Sequence, residues 1–254
     1  MPTQHDRTRY DRALHGARVS AYAAGEFVGQ ESFMTAGEIR ALAERAGIGP
    51  GVAVLDLCCG VGGPGRLITR ELGCDYLGVD ASASAVAIAR QRAGDRPCRF
   101  AIGQIPPLPA GSFDVVLLLE TMLAFADKDA LLRAIAAALP PGGRFAFTLE
   151  EGAPLTPGER AAMPAADTVW PARLDEICTL LERAGLGLTW HADHSPAHHA
   201  TAQALTAAFT ADATHIAAEI GHRALDDLLA AHRRWIEWLR VGRVRKLALV
   251  AERV

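Results

Sequence analysis

Lysine is nearly missing from this chain of 254 residues. Of 26 basic side chains only Lys128 and Lys246 are lysines, and the rest are arginines. With alanine abundant as well, this reads as the coding habit of a GC-rich bacterial genome and predicts nothing about chemistry. The basic residues form no block, net charge is −3 and aromatics make up 6%. A nucleic-acid enzyme would carry a positive stripe, so no nucleic-acid partner is expected. No run of 18 apolar residues appears, and the polar N-terminus lacks a signal-peptide pattern, so neither a membrane partner nor export is expected. The five cysteines (Cys58, Cys59, Cys74, Cys98, Cys178) are odd in number and have no C-x-x-C spacing. They read as reduced structural filler, which suits a cytoplasmic protein. Half the residues are hydrophobic, which excludes disorder and leaves room for one α/β domain with an insertion.

What is present is concentrated between Val52 and Asp80. Val52 to Leu57 is a short apolar run of the kind that fills a parallel sheet buried on both faces. Gly60, Gly62 and Gly65 follow in G-x-G-x-x-G spacing, and Pro64 sits where a first-turn proline starts a helix. Asp80 ends a second strand, Asp75 to Asp80, at the distance from which an acidic side chain reaches the two hydroxyls of a ribose. The glycine pattern alone would also suit a nicotinamide dinucleotide. Asp56 argues against that, because a carboxylate facing the phosphate position suits a ligand that offers a cation.

The segment around Asp56 resembles the first motif of class I S-adenosylmethionine (SAM)-dependent methyltransferases. Gly78-Val79-Asp80-Ala81-Ser82 resembles their second motif. Leu108 to Val116 is similar to the L-P-x-x-x-F-D-x-V that opens their fourth strand, and Leu139 to Phe145 to the L-x-P-G-G turn before their fifth. The nearest branch is that of quinone, sarcosine and sugar methyltransferases. The resemblance implies SAM as cofactor, S-adenosylhomocysteine as product and a small-molecule acceptor methylated at N, O or C. It implies that Asp56 holds the methionyl amino group, that Gly60 and Gly62 allow close approach, and that Asp80 takes the ribose hydroxyls with Ala81 beside the adenine. Gln104 stands where the family often has an acidic residue against the adenine amine, with Ile105 next to it. Leu119 and Tyr22 complete the expected cofactor set. Two other readings stay open: a relative that binds SAM without transferring the methyl, and, disfavoured by Asp56, a nicotinamide dehydrogenase.

The pattern along the chain predicts strands at 52–57, 75–80, 98–102, 113–119, 144–149, 186–191 and 244–250. Helices are expected at 36–46, 64–72, 82–93, 127–138 and 172–184. This is a doubly wound, Rossmann-like α/β sheet whose ligands sit at the carboxyl ends of its strands. The resemblance makes the last strand antiparallel. Residues 1–34 read as an N-terminal lid segment in which Gly25 and Gly29 break any long helix. Residues 35–195 read as the SAM-binding core, 196–240 as a helical cap on the substrate side, and 241–254 as the final core strand.

Candidate chemistry lies at the rim. Glu120 closes the fourth strand and either binds or deprotonates an acceptor amine or hydroxyl, or caps the following turn. Glu150 and Glu151 end the fifth strand nearby, which leans the acceptor towards nitrogen. Seven of nine histidines fall between 191 and 232. His194, His198 and His199 are candidate general bases. As metal ligands they are disfavoured, because the run shows no H-x-x-x-H helix spacing with a nearby glutamate and a proline interrupts it. No metal is expected. Phe27, Glu151, Trp170 and Trp235 are candidate acceptor-pocket residues, and the oligomeric state is left open.

Overall fold

The computed structural model describes residues 4–163 and 169–254. Residues 1–3 of the expected N-terminal segment lie outside them. Seven strands form one sheet: β1 (Ala53–Leu57), β2 (Asp75–Asp80), β3 (Cys98–Ile102), β4 (Val115–Leu118), β5 (Arg144–Glu151), β6 (Leu186–Asp193) and β7 (Arg245–Arg253). Their order is β3-β2-β1-β4-β5-β7-β6. The first five are parallel, and β7 runs antiparallel to both β5 and β6. β1 is buried from Val54 to Leu57 and pairs on both sides, with Leu55 opposite Leu77 and Val116. Strand order reverses at β1 and β4, so the chain leaves in opposite directions at their carboxyl ends and opens a crevice there.

Helices cover both faces. On one side α2 (Ala36–Arg45), α3 (Gly63–Leu72) and α4 (Ala83–Ala93) bury Ile39, Leu42, Leu67 and Ala89 against Val54, Tyr76 and Phe100. On the other, α5 (Lys128–Ala138) and α7 (Leu174–Arg183) bury Leu131, Ile135, Ile177 and Leu181 against Leu55, Val116 and Phe147. Caps written in the sequence start several of these helices. Thr35 and Glu38 form a capping box on α2, Ser82 caps α4 and Asp127 caps α5.

Two helices depart from expectation. The N-terminal segment, for which no helix was expected, forms α1 from Gln4 to Ala21, through Gly16 and ending before Gly25. Its buried stripe (Ala13, Leu14, Ala17) is narrow and is made helical by packing rather than by its own periodicity. A short α6 (Pro157–Ala161) also forms, with Thr156 and Glu159 as a capping box. Between β6 and β7 the chain makes α8 (Ser195–Ala211), α9 (Ala213–Ile220) and α10 (His222–Arg240). With α1 these bury a separate apolar cluster that includes Leu14, Tyr22, Phe33, Leu205, Phe209 and Leu225.

Candidate active site

The crevice at the carboxyl ends of β1, β2 and β4 holds a cavity of about 350 Å³, lined by Asp56, Cys58 to Val61, Asp80, Leu119 to Thr121 and Gly29 to Ser32. Its floor follows from one missing side chain. A Cβ on Gly65 would lie 2.2 Å from the Tyr76 ring. Glycine there lets α3 press onto β2, and the Tyr76 hydroxyl donates to Asp56 Oδ2 at 2.5 Å. Asp56 is 2% exposed. Burial pushes its carboxyl up to about 7, with the Tyr76 hydrogen bond opposing and the Asp80 charge adding. A buried carboxyl half-ionised near neutral pH is ready to be fixed as a carboxylate by a cation.

Gly60 (φ 53°) faces open space, since an added Cβ would meet nothing nearer than a Glu31 oxygen at 3.8 Å. Asp80 accepts from Gly60 N on one oxygen (2.9 Å) and from Ser82 N on the other (2.8 Å). The same carboxylate therefore fixes the turn and lines the cavity. Burial pushes the Cys58 thiol up to about 12 and Cys59 higher still, so neither supplies a thiolate.

Among the described residues Cys58 (φ 59°) and Glu120 (φ 58°) are the non-glycine residues in the left-handed region, and both line this cavity. Such conformations cost on the order of 1–3 kcal/mol and gather at functional sites. Glu120 is held there by its backbone N–H, which donates to Thr148 Oγ1 at 2.5 Å. Its carboxylate takes a hydrogen bond from Lys246 Nζ at 2.8 Å, and the same ammonium donates to Glu150 Oε1 at 2.7 Å. Lys246 is 4% exposed and Glu150 not at all. Burial works against ionising Glu120, but Lys246 and then His198 outweigh it and hold its carboxyl below the usual range. Burial would also lower Lys246, yet its two carboxylates keep the ammonium above its ordinary value.

A second cavity of about 250 Å³ adjoins the first. Tyr22, Phe33, Leu123, Leu205, Phe209, Leu228 and Trp235 form its apolar wall, and its polar groups include Arg18, Glu120, His232 and Lys246. Gln30, Glu31, Ser32 and Glu120 line both cavities.

The scarcity of lysine, read from composition as a coding habit, acquires a structural meaning here. Both lysines are buried. Lys246 sits between two glutamates, and Lys128 Nζ donates to the carbonyls of Phe125 and Trp170. Each ammonium spends donors on two buried oxygen acceptors.

Of the sequence's cofactor candidates, Asp56, Gly60, Asp80 and Leu119 line the first cavity. Gly62 (φ 75°) starts α3 and lies against Phe100, where a Cβ would come within 2.7 Å. Ala81 and Gln104 are exposed and outside the cavity lining, and Ile105 packs on the core. Tyr22 lines the second cavity instead of the first, its hydroxyl donating to the Ser32 carbonyl at 2.5 Å. Trp235 is in the second cavity, and Phe27 stacks near Tyr22 outside both. Glu151 pairs with Arg245 at 2.9 Å, and Trp170 lies under the Arg160 guanidinium, so neither reaches a cavity wall. His194 and His198 come together on Glu38, the capping-box residue of α2. They are four apart, and Glu38 arrives from α2, so the expectation of no such spacing with a nearby glutamate is corrected. His199 joins neither Glu38 nor Glu120.

A family model described as a methyltransferase domain matches residues 54–143. The methyltransferase GfsG of Streptomyces halstedii is 30% identical over 181 residues, covering 66% of this chain and 64% of that protein. The chain thus matches under two thirds of that relative's length. Among solved structures, the cyclopropane synthase MmaA2 of Mycobacterium tuberculosis has a TM-score of 0.81 at 16% identity, covering 99% of both chains. Phosphoethanolamine N-methyltransferase 2 of Haemonchus contortus, solved with phosphomonomethylethanolamine and S-adenosylhomocysteine, has a TM-score of 0.77 at 21% identity over 98% of this chain and 59% of that one.

Proposed function

We propose, from the premise that residues 54–143 are a class I SAM-dependent methyltransferase domain, that the chain binds SAM at the glycine turn and methylates a small, mostly apolar molecule. The observation that carries this reading is the sharing of Glu120 by two adjoining cavities, one walled by Asp56 and Asp80 and the other by apolar side chains.

The residues present fit the cofactor. Asp56 is a buried carboxyl that needs a cation, and it suits the methionyl ammonium. Gly60 leaves its side open for close approach. Asp80, oriented by two backbone N–H groups, retains lone pairs for the ribose hydroxyls. When bound, SAM supplies an electrophilic methyl group. The chain's own part is to place the acceptor and take its proton.

Glu120 is the base in this reading. One oxygen is held by Lys246, while Oε1 is buried without a hydrogen-bond partner. That oxygen has two lone pairs, enough to face His198 at 3.8 Å and still accept from the N–H or O–H of an acceptor. Lys246 keeps the carboxylate ionised, and the left-handed backbone fixes its direction. A carboxylate at the junction favours an amine over a carbon acceptor. The cap of 196–240 then serves as the substrate side, 1–34 as a lid, 35–195 as the SAM-binding core and 241–254 as its last strand. Net charge of −3 supports a small-molecule partner over nucleic acid, and the reduced thiols support a cytoplasmic setting.

The test is calorimetric binding of SAM to the native chain and to Asp80→Ala, followed by assay of S-adenosylhomocysteine release with a panel of amines, phenols and activated carbons. Losing charge-assisted hydrogen bonds to Asp80 should weaken SAM about ten- to hundredfold. Tight binding without release on any acceptor would instead point to use of SAM without methyl transfer. Absence of binding would refute the reading.

A further inference from the structure

We infer that Glu38, His194 and His198 form a site for a borderline divalent cation of the Zn²⁺ type, which clamps the start of α8 onto α2. His194 Nδ1 lies 3.3 Å from Glu38 Oε1, and His198 Nε2 lies 3.3 Å from Glu38 Oε2. One donor atom from each residue falls within 4.8 Å of the others. Zn–N and Zn–O bonds of about 2.0–2.2 Å set neighbouring ligand atoms roughly 3.3–3.5 Å apart on a tetrahedron, and each histidine stands at that separation from a different Glu38 oxygen, so the carboxylate offers an ion one oxygen beside each imidazole.

Three further features support a cation. First, His194 Nδ1 and both ring nitrogens of His198 are buried without a hydrogen-bond partner, and His198 is 1% exposed. Buried polar atoms are normally satisfied, and two of these three nitrogens, His194 Nδ1 and His198 Nε2, face the one Glu38 carboxylate, an arrangement that calls for a bound group. Second, the ring nitrogen of His198 that faces away from Glu38 lies 3.8 Å from Glu120 Oε1. A metal-bound histidine characteristically offers its other N–H to a carboxylate, which fixes its tautomer. Third, the charges are unbalanced. Glu38, Glu120 and Glu150 are linked through His198 and Lys246, and three carboxylates against one ammonium leave two negative charges in a nearly closed space. A divalent cation with neutral imidazoles cancels them.

The local backbone is compatible. His194 and His198 bracket the first turn of α8, one helical turn apart on the same side. Pro196 between them occupies the position where a helix tolerates proline. Glu38 is already oriented, since its Oε2 accepts from Thr35 N at 2.8 Å. The site joins the sheet-covering helix α2 to the insertion that walls the apolar cavity. Its second-layer carboxylate is Glu120, so a bound ion would set both cap position and the orientation of that side chain.

The experiment titrates the metal-free full chain with Co²⁺, read by visible absorption, and with Zn²⁺, read by calorimetry, without SAM. One ion per chain with the intense absorption of tetrahedral Co²⁺ is expected. His194→Ala and Glu38→Gln should each weaken binding by at least about tenfold, Glu120→Gln by about ten- to hundredfold, and His199→Ala not at all. Glutamine preserves the α2 capping box, so the Glu38 variant keeps its helix start. Absence of Co²⁺ absorption and Zn²⁺ heat in the native chain, or undiminished binding by both His194→Ala and Glu38→Gln, would overturn the site. Because no cofactor is present, this outcome is separate from the fate of the methyltransferase reading.

Discussion

Replacing Asp56 by asparagine separates what this side chain does for the cofactor from what it does to the fold. The carboxyl is raised from 3.8 to about 7, first by burial. Because the folded state holds the proton more tightly, native stability falls as pH rises from about 4 to 7 and stays lowered above that. Each tenfold rise in proton affinity is worth about 1.36 kcal/mol, so the ionised carboxylate costs the cofactor-free chain about 4 kcal/mol at pH 8. An asparagine at this position would carry no charge and would keep an oxygen for the Tyr76 hydroxyl. Asp56→Asn should therefore melt higher than the native chain at pH 8 and equally at pH 4. Cofactor binding should respond in the opposite sense. An acid of pKa about 7 is ionised to about 3% at pH 5.5 and about half at pH 7, while an α-amino group stays largely protonated throughout. SAM affinity of the native chain should therefore fall about 15-fold from pH 7 to 5.5, and the variant should bind weakly with no such slope. Calorimetry at the two pH values and thermal melts at pH 4 and 8 give both readings. A flat native affinity profile, or a variant no more stable than native at pH 8, would refute the reasoning.

Three other perturbations follow from the same geometry. Glu120→Gln should lower methyl transfer about 10²- to 10⁴-fold with SAM affinity almost unchanged, and an equal loss in both would make it a cofactor ligand instead of the base. Lys246→Met strands Glu120 and Glu150 and should cost about 3–5 kcal/mol in denaturant unfolding, partly restored by adding Glu150→Gln; a loss below about 1 kcal/mol would show that the pair is not coupled. Gly65→Ala drives a methyl into the Tyr76 ring and should cost about 1–3 kcal/mol while weakening SAM binding, and unchanged affinity would mean that Tyr76 does not position Asp56.

How much of this was readable in the sequence depended on the range of the interactions. The β1 turn, Asp80 and the parallel strands are local patterns, and Leu55 and Val116 mark themselves by apolar runs alone. The antiparallel β7 came from resemblance, because nothing in Arg245 to Arg253 states its direction. Helix α1 was missed because its burial is supplied by α8 and α9, about 200 residues away. Nothing in the sequence marked Glu38 as the partner of His194 and His198, since the two ends are more than 150 residues apart. Lys246 was dismissed with the composition, although being one of two lysines among 26 basic residues was the signal available for it.

The reversal of β7 explains how the cap is coupled to Glu120, the proposed base. A parallel neighbour would return the chain at the far end of the sheet, whereas an antiparallel pair brings both ends of an insertion to one rim. Asp193 stands opposite Leu247 in that pair, next to the register position where the cap leaves the sheet and returns to it. There His194 N donates to the Lys246 carbonyl at 2.8 Å, and Lys246 N donates to Ser195 Oγ at 2.9 Å. The residue that fixes Glu120 is thus hydrogen-bonded through its backbone to the first residues of the cap. A shift of α8 towards or away from an acceptor must move the backbone that carries the Lys246 ammonium, and with it the charge that keeps Glu120 ionised. A buried ion pair adds little to stability over a well-packed apolar one. Its placement where cap and sheet meet is what the proposed catalytic role of Glu120 would require.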